Sequence, residues 1–117
     1  MSARYIVESL SNYSNRLDGV NSGSCCVVHF QTCESNHAFE MALEVLHEEY
    51  EFVWMTVKAG TADDVVECFS ILSLPAVAVF KKGGAARVVQ SANIGKITRV
   101  VAATASKRKK LVLDVDF

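Results

Sequence analysis

A single proline, Pro75, and six glycines in 117 residues exclude a collagen-like, proline-rich or low-complexity body. An excess of one charge is also missing. Twelve Lys and Arg stand against 13 Asp and Glu, a net charge of −1, so no global field draws the chain onto nucleic acid or a membrane surface. The longest apolar runs, around residues 25–30 and 74–80, fall far short of the ~20 residues that a helix needs to cross a bilayer. Met1-Ser2-Ala3-Arg4-Tyr5 lacks the apolar centre of a secretory signal. Cysteine is present but poorly spaced for a secreted disulfide framework, because Cys25 and Cys26 are adjacent and only Cys33 and Cys68 remain. The expectation is a cytoplasmic chain with reduced thiols. A nuclear location stays open through the basic run Lys107-Arg108-Lys109-Lys110.

Half of the residues are apolar and 21% are charged, enough for one globular core. The patterning alternates between two periods. Residues 4–7 form a short apolar strand. Leu10, Tyr13 and Leu17 then fall on one helical stripe closed by Gly19. Residues 25–30, interrupted only by His29, read as a strand buried on both faces, with Cys25 and Cys26 pointing to opposite layers. Phe39, Leu43, Leu46 and Tyr50 repeat on the apolar face of a long helix that starts near Thr32 or Cys33. Residues 52–57 form the next strand, in which Trp54 and Met55 alternate between faces. Thr61-Ala62-Asp63-Asp64 has a capping-box pattern and introduces the stripe Ala62, Val65, Val66 and Phe69, with Cys68 expected as a packed core thiol. Residues 76–80 and 85–90 make a hairpin around Lys81-Lys82-Gly83-Gly84, and Asn93 caps a last helix on Ile97, Val100, Val101 and Ala105. The order is β-α-β-α-β-α-β-β-α. Such alternation predicts an α/β domain with a mixed central sheet flanked by helices.

With Pro75 just ahead of the fourth strand, this order resembles thioredoxin over residues 4–106. Val27-Val28-His29-Phe30 is similar to the central strand leading into that family's active site. Cys33-Glu34-Ser35-Asn36 stands where the family carries CxxC. Leu74-Pro75-Ala76 resembles the family's Ile-Pro-Thr, whose proline is cis and faces the active-site cysteines, and Val79-Phe80-Lys81-Lys82-Gly83 resembles the hairpin after it. The resemblance implies a thioredoxin-like domain over residues 1–106, followed by a basic tail or linker over 107–117.

The departures are as informative. Counting back from Tyr50 puts Cys33 in the nucleophile position and Asn36 in that of the resolving cysteine. His29 stands in place of the family's buried aspartate. A histidine there is similar to the N-terminal thioredoxin-like domain of PICOT-type monothiol glutaredoxins, which also has a degenerate site. That likeness implies a role in redox or iron-homeostasis assemblies.

Dithiol reduction needs a first thiol to attack and a second to resolve the mixed disulfide, and Asn36 cannot do the second. Cys33, near a helix N-terminus, is the candidate nucleophile, with the dipole favouring thiolate and His37 one turn on as its stabiliser. The alternative is an inherited and unused cysteine. Cys33 and His37 supply only two metal ligands, so no metal site or other cofactor is expected. Leu74, Pro75 and Ala76 are the candidate peptide-binding residues, because strand-like capture of an extended segment needs no thiol. The expected partners are proteins or peptides in the groove between Cys33 and Pro75, with glutathione a further option and neither nucleic acid nor membrane. The leading expectation is a monothiol, redox-degenerate protein-binding or regulatory domain. Two alternatives stay open: a monothiol oxidoreductase using Cys33, which leaves enzymatic activity undecided, and an adaptor without thiol chemistry.

Overall fold

The computed structural model describes residues 4–31, 37–58, 60, 62–91 and 93–107. Its elements are β1 (Arg4–Val7), α1 (Leu10–Asp18), β2 (Cys25–Gln31), α2 (His37–Glu49), β3 (Tyr50–Glu51), β4 (Val53–Lys58), α3 (Asp63–Cys68), β5 (Ala76–Lys81), β6 (Arg87–Val89), α4 (Ile94–Thr104) and β7 (Ser106–Lys107). Five strands form one sheet in the order β1-β4-β2-β5-β6. β1 and β2 run parallel to β4, while β5 runs antiparallel to both β2 and β6. The mixed sheet follows from the connections: helical crossovers return the first strands parallel, and a tight turn reverses the last pair.

β2 lies at the middle of the sheet and is buried at all six positions from Cys25 to Phe30. A strand without a polar face needs a layer on each side. On one side Cys26, Val28, Phe30, Met55, Ala78 and Phe80 pack with Tyr13 of α1 and Val65 of α3. On the other, Cys25, Val27, Trp54, Val77 and Val79 pack with Phe39, Leu43 and Leu46 of α2 and Ile97 and Val101 of α4. The opposed Cys25/Cys26 and Trp54/Met55 pairs therefore divide between the layers as the alternation requires.

Caps set the helix starts. Ser9 Oγ accepts from the Asn12 amide at 3.0 Å, and Asn12 Oδ1 accepts from the Glu8 amide at 3.2 Å. Asn93 Oδ1 accepts from the Lys96 amide at 3.0 Å. α3 departs from the expected capping box. Its N-cap is Ala62, which makes no side-chain cap bond, and Thr61 lies outside the described residues. Asp64 instead accepts from the Val65 amide at 2.9 Å and reaches the Leu10 amide at 3.3 Å, tying the starts of α1 and α3 together.

Further boundaries differ from the sequence reading. The expected strand over 85–90 contracts to Arg87–Val89, because the turn at Gly83 (φ +96°) holds the chain away from β5 until Arg87 pairs with Val79. The strand expected over 52–57 is shifted to Val53–Lys58. Tyr50, expected to finish the long helix, pairs instead with Lys107 in a two-residue antiparallel ladder of β3 with β7. The expected helix start at Thr32 or Cys33 lies outside the described residues. No helix among those described is long and apolar enough to cross a membrane.

The α2 layer rests on Leu43, which is 1% exposed at the centre of its core. Leu43→Ala is expected to lower unfolding free energy by about 2–5 kcal/mol in urea titrations, through lost transfer energy and an unfilled cavity.

Candidate functional site

Two chain segments meet at the end of the sheet where β2 finishes. The first is β2 itself, which ends at Gln31 and leads into residues 32–36. Cys33 and Asn36 therefore lie outside the described residues. His37 is the first residue of α2 and is exposed. Gln31 Nε2 donates to Glu40 Oε1 at 3.0 Å, joining the end of β2 to the first turn of α2.

The second segment is the loop into β5. Phe30 pairs with Ala76, so the antiparallel register sets Pro75 opposite Gln31. The Leu74–Pro75 peptide bond is cis. Leu74 and Pro75 are half-buried, whereas Ala76 is fully buried in β5 and faces the core, so its side chain is not offered to a partner.

The end of α3 determines how this loop begins. Phe69 is fixed among Tyr13, Phe30 and Phe80, with ring centroids 5.8, 5.5 and 6.0 Å away. Ser70 then takes the left-handed conformation (φ 55°), with its amide bonded to Glu67 O at 2.9 Å and the Ile71 amide to Val66 O at 3.2 Å. This pair of bonds is a Schellman end, which stops the helix and turns the chain outward. Gln90, just after β6, braces the stretch beyond it. Its Oε1 accepts from the amides of Leu72 at 2.6 Å and Ser73 at 3.1 Å, and its carbonyl accepts from Ser73 Oγ at 3.2 Å. Leu72 is left 91% exposed on this braced loop.

Gln90 and Leu72 are not distinguished by the sequence. A side chain bonding backbone seventeen and eighteen residues away leaves no local pattern, and Leu72 resembles any apolar residue of a helix end.

His29 sits beneath the same end of the sheet. It is 2% exposed, lies against the Phe39 ring with centroids 4.9 Å apart, and has no hydrogen-bond partner at Nδ1. Thr56, its neighbour in β4, has an equally unpartnered Oγ1. Burial, reinforced by the charge of Arg4, pushes the imidazole down to about 4, so the ring is neutral near pH 7.

The remaining thiols differ sharply. Burial raises Cys25 to about 12, with the neighbouring Cys26 adding to the shift, and raises Cys26 to about 11. Cys68, expected in the core, is exposed. The buried stripe of α3 runs through Ala62 and Val65, with Val66 and Phe69 packed beside it, and Cys68 lies roughly a third of a turn off its centre.

A five-stranded mixed sheet between two helical layers, with a cis proline facing the end of its central strand, is the thioredoxin fold. The reduced thioredoxin pre-protein of Schistosoma mansoni superposes with a TM-score of 0.78 at 16% identity, covering 88% of this chain and 99% of that one. Fasciola hepatica thioredoxin gives 0.76 at 16% identity, over 86% and 98%. The germline-specific thioredoxin Deadhead of Drosophila melanogaster gives 0.73 at 16% identity, over 88% and 98%. At this identity the likeness establishes the fold alone. No protein-family model and no curated protein sequence matches the chain.

Two measurements test the buried groups. The folded His29 pKa lies below the 6.5 of an unperturbed imidazole, so its contribution is complete above pH 6.5 and is lost as pH falls towards 4. Between pH 7 and pH 5, wild type should lose about 2 kcal/mol more stability than His29→Leu in paired urea titrations. In the folded protein at about pH 8, iodoacetamide should alkylate Cys68 and leave Cys25 and Cys26 unmodified by peptide mass mapping.

Proposed function

We propose that this chain is a protein-binding thioredoxin-fold module that takes an extended peptide along the loop Leu72–Pro75, beside a motif reduced to one thiol. The observation that carries the proposal is the loop itself. It projects Leu72 into solvent while the Gln90 clamp and the Schellman turn hold its backbone, so little ordering entropy remains to be lost on binding. Extended peptides are recognised by main-chain hydrogen bonds with pockets for alternate side chains, and neither requirement involves sulfur. In this reading Cys33 is the motif's lone thiol, with Asn36 in the resolving position. Trapping a partner or carrying glutathione is then a regulated addition to binding. His29 in place of the family's buried aspartate, together with a motif that has Asn36 in the resolving position, also supports kinship with the degenerate N-terminal domains of PICOT-type glutaredoxins.

A peptide selected on the wild-type chain from a random displayed library is the probe for this proposal. Leu72→Asp and Gln90→Ala should each weaken its binding by about ten-fold or more in fluorescence titrations, while Cys33→Ser binds as wild type. Unchanged affinity in both loop variants would remove the loop as the binding surface. The rival is a monothiol oxidoreductase, which predicts reduction of insulin disulfides with glutathione that disappears in Cys33→Ser.

A further inference from the structure

The outer surface of the α2/α4 layer is divided by charge. α2 carries Glu40, Glu44, Glu48 and Glu49 and no Lys or Arg, whereas α4 carries Lys96 and Arg99 and no acid. The two helices lie side by side on one face of the sheet. Both start from the same end, because α2 follows β2 and α4 follows β6, which runs parallel to β2 through β5.

Contacts fix how each helix is turned. On α2, Glu40 bonds Gln31 and His47 lies against Trp54 with ring centroids 5.4 Å apart, so this flank lies over β2 and β4. Glu44 and Glu48 continue along it at four-residue spacing. On α4, Lys96, Arg99 and Val100 line a shallow cavity of about 290 Å³ with Arg87 of β6, which sets the cations over the opposite edge of the sheet. Between the two flanks lie the exposed apolar side chains of Met41, at 51%, and Val45, at 57%, with the exposed Ala102 on α4; their row on α2 ends at Glu49, whose charge is met by Lys107 at 3.8 Å.

Across this surface the sequence of features is anionic, apolar, cationic. Among the described residues, Glu44, Glu48, Arg87, Lys96 and Arg99 have no ion-pair partner. Arg4, the cation of β1 on this side, stacks on Trp54 at 3.9 Å and likewise makes no ion pair among them.

We propose that this face is a homodimer interface, with a second copy of the chain as its occupant. A two-fold axis parallel to the helices, between α2 and α4, carries the anionic flank of each copy onto the cationic flank of the other and brings the two apolar stripes together. A two-fold interface must be complementary to itself, and a strip with acid on one side, base on the other and apolar groups between meets that condition. The charges set register, and the apolar stripe supplies the buried centre. The surface is separate from the peptide loop, so this inference stands or falls independently of the function proposed above.

Sedimentation velocity on the 117-residue chain tests it. Wild type should form a dimer by about 200 µM that loosens at high salt. Two reversed variants, Glu44→Lys with Glu48→Lys and Lys96→Glu with Arg99→Glu, should each dimerise at least about ten-fold more weakly, since each sets like charges together. An equimolar mixture of the two variants should recover dimer, because every flank then meets its opposite. All four positions are exposed, so far-UV circular dichroism should show an intact fold, and Val45→Asp gives an independent loss of dimer through the apolar stripe. A monomeric wild type at that concentration, a dimer indifferent to both reversals, or a mixture that stays monomeric would each overturn the proposal.

Discussion

The burial of β2 on both faces is the constraint on which the rest of the structure depends. Six successive positions without solvent commit the chain to a helical layer on each side and to strand neighbours on each edge. β4 meets one edge in parallel and β5 the other in antiparallel, so the helical crossovers and the hairpin all begin at the pole where β2 runs out. The candidate site is the by-product of that convergence. Pro75 stands opposite Gln31 because Ala76 pairs with Phe30, and Ala76 is there because its methyl group belongs to the core.

Most of this architecture was legible because it rests on period. The apolar run at Cys25–Phe30, the stripe Phe39-Leu43-Leu46 and the Gly83 turn each state their environment locally. What was not legible depends on partners distant in sequence. Tyr50 fits the helical stripe as well as it fits a strand, and only its pairing with Lys107 decides between them. Cys68 looks like a core thiol by composition, but a six-residue helix buries a narrow stripe, and the thiol falls beside it. The Gln90 clamp is a tertiary bond between a loop and a strand end, with no signature in either segment. At the site, Pro75 was visible as the lone proline before a strand, while the braced loop that presents Leu72 was not.

Burial also sorts the chemistry of the chain. Cys25, Cys26 and His29 are reactive residue types made inert by the removal of water, each shifted towards its neutral form. The unpartnered Nδ1 of His29 and Oγ1 of Thr56 show that this comes at an energetic cost, since neither recovers the hydrogen bonds it had in solvent. Among the described residues, the groups left available include Leu72 on its loop, Cys68 at the end of α3, and the divided charges of α2 and α4.

The short β3–β7 ladder has a consequence for how the domain can be joined to others. Lys107 pairs with Tyr50, only a few residues ahead of Trp54, and Arg4 is in register with Trp54. The described chain thus enters and leaves at the same pole of the sheet, opposite the end at which Gln31 and Pro75 face each other. Such a domain can be spliced into a surface loop of a host protein through two neighbouring junctions, and the end that carries Gln31 and Pro75 would then point away from the host.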